Sequence, residues 1–127
     1  MKQSVSQSTV TTRSIVTTAD IVTRAAAVRR AFATMDLVGP LEAVLRHYVV
    51  ELAAVCGPRR FKSLASARHA LWALLYPRYG SYPEIAALFG VDHTTVMNGV
   101  RVARERNLIP GSAAPVERVV VFELEET

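Results

Sequence analysis

Apolar residues recur at helical spacing through most of the chain up to residue 107. Such a period predicts helices that each bury one stripe. In residues 19–35, "ADIVTRAAAVRRAFATM", alanines favour helix, and Ile21, Ala25, Val28 and Phe32 form the stripe. Gly39-Pro40 predicts a break, with Pro40 set to open the next helix. That helix runs over 41–48, bends at Val49-Val50 and yields a second short helix to about Val55, ended by Gly57-Pro58. After the basic loop "RRFK" at 59–62, "SLASARHALWALLY" predicts a strong helix with Leu64, Ala67, Leu71, Leu74 and Leu75 facing the core. Pro77 is expected to halt or kink it, because its ring removes a donor and clashes with the preceding turn.

Residues 81–107 carry the most specific pattern. Ser81 and Glu84 have the spacing of a capping box, and the short helix they open presents Ile85, Leu88 and Phe89. Gly90 suits the residue after a helix, Val91 is expected to plug the core, and Asp92 can cap the next helix. That helix extends from His93 to about Asn107. Val96, Val100, Ala103 and Asn107 share one face, and Thr94, Asn98 and Arg101 share the opposite one. Helix, glycine turn, helix is the helix-turn-helix arrangement.

The ends differ. Residues 1–18, rich in Ser, Thr and Gln, read as a flexible tail. A helical domain is expected over 19–107. Residues 108–115 read as a linker, and "PVERVVVFELEE" as a β-branched, partly alternating strand in an acidic tail ending at 127.

Charge sharpens this organisation. The formal charge is +4, but residues 57–107 hold eight basic and three acidic groups, net +5, whereas 108–127 are net −3. The middle segment is therefore the expected surface for an anionic partner. No apolar run approaches the ~20 residues of a membrane span, and the start lacks a signal-peptide core. No membrane partner and a cytoplasmic, nucleoid-associated location are the expectations. The single cysteine, Cys56, excludes an internal disulfide and a cysteine-based zinc site. No metal site or cofactor is expected.

Adjacent Asp92 and His93 invite a catalytic reading. Neighbours at a helix start point in different directions, however, and no serine or cysteine nucleophile accompanies them. Asp92 is more simply a cap, and no enzyme activity is expected. His93, Thr94, Thr95 and Asn98 instead form the leading edge of a helix whose start meets base edges and phosphates in a groove. Arg101 and Arg104 lie further along, within reach of a backbone. Taken singly, the arginines could be solvated surface, Trp72 core, and Cys56 a small buried apolar residue. The nucleic-acid reading rests on their convergence.

"SYPEIAALFGVDHTTVMNGVR" and the upstream "RRFKSLASARHALWALL" resemble the C-terminal DNA-binding domain of the bacterial replication initiator DnaA. Ser81, Pro83, Glu84, Ile85, Phe89, Gly90, Asp92, His93, Thr94, Thr95 and Val96 match that family's pattern in order. The resemblance spans roughly Leu41 to Glu105. It implies an all-α, Trp-repressor-like bundle that binds double-stranded DNA. By the same resemblance, Asp92, His93, Thr94 and Thr95 read major-groove bases. Arg60 or Lys62 of the loop that begins at Arg59 enters the minor groove, and Arg68 contacts DNA. The chain departs from the pattern at Val91, where the family has Gly-Arg. It also has His69 in place of Gln, and Asn98-Gly99 in place of a common His-Ala. The sequence holds no Gly-x-x-x-x-Gly-Lys phosphate loop, so a stand-alone DNA-binding module without the ATPase is expected.

Two functions follow. One is sequence-specific duplex binding that regulates transcription or replication initiation. The other is a protein-interaction module, or a competitor of the initiator, that uses the C-terminal strand as an edge. Homodimerisation through the N-terminal helix or that strand is compatible with either.

Overall fold

The computed structural model describes residues 17–113, and the regular structure there is helical throughout. The expected strand at 116–127 lies outside the described residues, as does nearly all of the N-terminal segment. Helix α1, Thr18–Thr34, starts inside the stretch expected to be tail, because Thr17 caps it. The Thr17 hydroxyl accepts the Asp20 N–H at 3.0 Å, and the Asp20 carboxylate accepts the Thr17 N–H at 3.4 Å. Two otherwise unpaired donors are thus satisfied reciprocally. Val28 and Phe32 of the expected stripe are fully buried, while Ile21 and Ala25 are half-buried.

The break after α1 falls at Asp36, which takes a left-handed φ of 59°, and not at Gly39-Pro40. Helix α2, Val38–Tyr48, holds both of those residues in its first turn. The missing N–H of Pro40 costs nothing there, since the first donors of a helix have no partner within it. Val49 ends α2 with φ 55° and leaves its side chain 87% exposed. One turn, α3 (Leu52–Val55), follows.

Helix α4, Lys62–Tyr79, is the centre of the molecule and packs against α2, α3, α5 (Tyr82–Phe89) and α6 (His93–Arg106). Eight of its side chains are buried, including Trp72, Leu71 and Leu75. Pro77 does not halt it. Proline forfeits the bond to the Ala73 carbonyl, but Tyr76 and Tyr79 on either side pack on the core. The helix stops at Gly80, whose φ of 68° suits glycine and whose N–H reaches the Tyr76 carbonyl at 2.7 Å.

Helix α1 packs against α2, α3 and α5 on another side of the bundle. Residues 108–113, within the expected linker, lie against α2: the Tyr48 hydroxyl donates to the Leu108 carbonyl, and Ala113 is fully buried in a 3₁₀ turn.

Candidate nucleic-acid interface

The turn between α5 and α6 is built by caps. The Ser81 hydroxyl accepts the Glu84 N–H at 3.3 Å, which is one half of the expected box. Gly90 ends α5 with φ 71°, and the Val91 N–H returns to the Ala86 carbonyl at 3.0 Å. Val91 does not plug the core as expected: it is 37% exposed. Phe89 before it and Val96 after it fill the interior, so the short turn leaves Val91 outside. The Asp92 carboxylate accepts the Thr94 N–H at 3.1 Å and also the Thr94 hydroxyl. These bonds, hydroxyl first and backbone second, hold its pKa below the ordinary carboxylate value. Asp92 is thus engaged as a cap, with its carboxylate turned to Thr94.

Val96, Gly99, Val100 and Ala103 of α6 are buried, and Val96 and Val100 pack in one core with Ile85 and Phe89. Asn107 falls at the end of this face, where the helix was expected to stop. It is exposed and ends the helix with φ 56°, a conformation that asparagine tolerates better than most residues. His93, Thr94, Thr95, Asn98, Arg101 and Arg104 are all exposed. Arg101 donates to Asn98 Oδ1 and reaches both Glu105 oxygens at 3.2 Å. The Arg104 guanidinium lies 5.8 Å from the centre of the Tyr76 ring.

The basic loop is exposed from Arg59 to Lys62. Phe61 in its middle is 60% exposed, with the Arg59 guanidinium 5.8 Å from its ring centre. The loop is held from below by Arg68. Its Nε donates to the Val55 carbonyl at 2.7 Å, and its Nη2 to Arg59 at 2.7 Å, Gly57 at 2.9 Å and Ala54 at 3.4 Å. His69 is half-buried with its ring 5.6 Å from that of Trp72. Burial, then Arg68 and Arg106, depress its pKa below the usual 6.5.

Loop and helix meet at a cavity of about 470 Å³. Arg60 and Thr95 line it from the two sides, Arg68 and His69 from the floor, and Gly90 and Val91 from the turn. Arg59 and Lys62 flank the loop without lining the cavity, and His93, Thr94, Asn98, Arg101 and Arg104 belong to the exposed face of α6. Arg24 of α1 also lines the cavity, a charged residue that the sequence does not mark for this site.

Residues 41–102 match the family model for the bacterial DnaA protein helix-turn-helix. The chain is 42% identical over 66 residues to the chromosomal replication initiator protein DnaA of Cereibacter sphaeroides, covering 49% of this chain and 14% of that protein. It is 37% identical over 82 residues to the DnaA protein of Roseobacter denitrificans, covering 63% and 18%. With that of Neisseria gonorrhoeae it shares 33% over 92 residues, covering 70% and 17%. The chain thus spans less than a fifth of the length of these relatives. No solved structure matches it at a comparable level. Over residues 41–102, from α2 through the turn to most of α6, the chain is similar to the bacterial DnaA helix-turn-helix, consistent with a DnaA C-terminal-like domain.

Proposed function

We propose that this chain binds double-stranded DNA sequence-specifically through α6 and the 59–62 loop, and that it regulates replication initiation or transcription at the nucleoid. The supporting observation is the exposed face of α6, where short donors and acceptors precede arginines, beside a basic loop across a cavity that no acidic side chain lines among the described residues. His93, Thr94, Thr95 and Asn98 are suited to base edges, with Asp92 fixing the start of the helix. Arg59, Arg60, Lys62, Arg101 and Arg104 are suited to phosphates, Arg68 to holding the loop in place, and His69 to lining the cavity beside it. The bonds from Thr94 to Asp92 Oδ2 support a role for Asp92 in starting the helix, and so binding rather than turnover.

The test is selection of bound duplexes followed by titration at several salt concentrations. The logarithm of affinity should fall linearly with the logarithm of salt. His93→Ala or Thr94→Ala should cost about 1–3 kcal/mol on the preferred sequence only. Arg104→Ala should weaken all sequences alike and lower the salt slope by about 1. Equal affinity of the unaltered protein for every duplex would sink the claim of specificity.

A further inference from the structure

Helix α1 precedes the family segment, yet it sends Arg24 into the cavity between loop and turn. The Arg24 guanidinium donates to the Cys56 carbonyl at 3.3 Å. It also presses on the turn: a Cβ at Gly90 would lie 2.7 Å from Arg24 Cζ. Arg24 is therefore fixed at its tip against both α3 and the helix-turn-helix. Arg68, tied to four carbonyls, is fixed on the same floor, and Arg60 lines the wall.

Three guanidinium groups thus converge on one cavity, two of them immobilised by carbonyls. No carboxylate lines it, and no ion pair reaches these arginines among the described residues. Cys56 does not supply the missing negative charge. Burial pushes its thiol up to about 11 although Arg24 and Arg68 pull it down, so it stays neutral near pH 7. His69 also lines the cavity, its pKa lowered first by burial and then by Arg68 and Arg106. Guanidinium forks match phosphate oxygens in geometry and charge. The volume lies in the range of small-ligand sites, roughly 300–1,000 Å³.

We propose that this cavity is a phosphate site, and that Arg24 makes the N-terminal helix part of the DNA-binding surface by clamping a backbone phosphate between the basic loop and the turn. The inference rests on the DNA-binding reading for the source of the phosphate but not for the site itself. Arg24 acts on every sequence alike, since a phosphate carries no base identity.

Two measurements on the full chain decide it. In the first, Arg24→Gln is compared with the unaltered protein on a mixed-sequence duplex across a salt series. The expected result is about tenfold weaker binding, as for loss of one charged hydrogen-bonding partner, with a salt slope lower by about 1. Arg24→Lys should restore the slope. In the second, inorganic phosphate is titrated into the unaltered protein, and the amide shifts of Gly90 and Thr95 are followed. Saturable shifts at both are expected. If duplex binding is intact and Arg24→Gln changes neither affinity nor slope, the clamp is overturned while the DNA reading stands. If no duplex binds, the DNA reading fails. Phosphate-induced shifts would then assign the cavity to a free phosphate compound and remove the backbone as its source. Absence of shifts at Gly90 and Thr95 overturns the site in either case.

Discussion

Arg68 resembles a DNA contact in sequence, and its environment gives it a second task. Its Nε and Nη2 close the carbonyl end of α3 and pin the loop at Gly57 and Arg59. Removing the fork leaves half-buried carbonyls unpaired, each at a cost of about 1–3 kcal/mol. Arg68→Met should therefore lower the unfolding free energy by about 3 kcal/mol, read by urea denaturation without any DNA. Arg68→Lys should recover little of this, because an ammonium lacks the planar fork. A residue serving only as a phosphate contact would leave stability unchanged in both variants. His69 next to it makes a pH prediction. Burial foremost, then Arg68 and Arg106, depress its pKa below 6.5 in the folded state. Between the folded value and 6.5, the unfolded chain binds more protons at this site, so stability rises with pH across that window. The contribution is complete above 6.5 and is lost as pH falls through the folded value. The melting temperature should fall on acidification through this range, and His69→Gln should flatten that part of the profile. A profile identical in both proteins would remove His69 from the account.

Gly99 shows packing overruling propensity within an element. A glycine inside a helix is worse than alanine by about 1 kcal/mol, and α6 carries one midway along its buried face. A Cβ there would meet the Trp72 ring, with Cζ3 at 2.7 Å, and His69 Cδ2 at 2.8 Å. The ring is rigid and 2% exposed, so it has nowhere to retreat. Gly99→Ala should thus destabilise by about 1–3 kcal/mol, although propensity alone predicts a gain of about 1 kcal/mol. Adding Trp72→Leu to Gly99→Ala should recover part of the loss relative to the sum of the single changes, as a double-mutant cycle would show. Nothing local in the sequence signals this pair, which lies 27 positions apart. The same distinction separates what the sequence reveals from what it hides. The helices, the Asp92 cap and the Gly90 turn are legible because each depends on neighbours a few residues away. The extent of α4 past Pro77 is not, since tertiary contacts of Tyr76 and Tyr79 outweigh one lost bond. The exposure of Val91 is hidden for a similar reason: hydrophobicity marks it for the core, but Phe89 and Val96 already occupy the space. In the candidate interface, exposed polar positions on α6 follow from helical period. Arg24 and the committed guanidinium of Arg68 depend on α1 and α3 meeting the turn, which no periodicity encodes.

At the scale of the whole molecule, the family segment does not hold the entire core. Val28 and Phe32 of α1 are both 0% exposed and belong to the same cluster as Leu41, Leu75 and Ile85. Fully burying such side chains is worth about 1.5–3 kcal/mol each, or roughly 3–6 kcal/mol for the two. Domains of this size have a net stability of about 5–15 kcal/mol. Losing α1 therefore removes a large share of the margin and also opens α2, α3 and α5 to water along the surfaces it covers. A chain lacking residues 1–36 should unfold at a much lower temperature than the full chain, or lose a cooperative transition altogether. It should also expose apolar surface to a hydrophobic dye. The expected contrast is a chain lacking residues 17–24 alone, which retains Val28 and Phe32 but loses the Thr17 cap and Arg24. Much of its core is intact, so it should melt between the two while losing the Arg24 contribution to the salt slope. Calorimetry of the three proteins checks the order of melting, and duplex titration across a salt series checks the slope. If removal of residues 1–36 left the melting temperature unchanged, α1 would be an appendage to the helix-turn-helix and not part of its core.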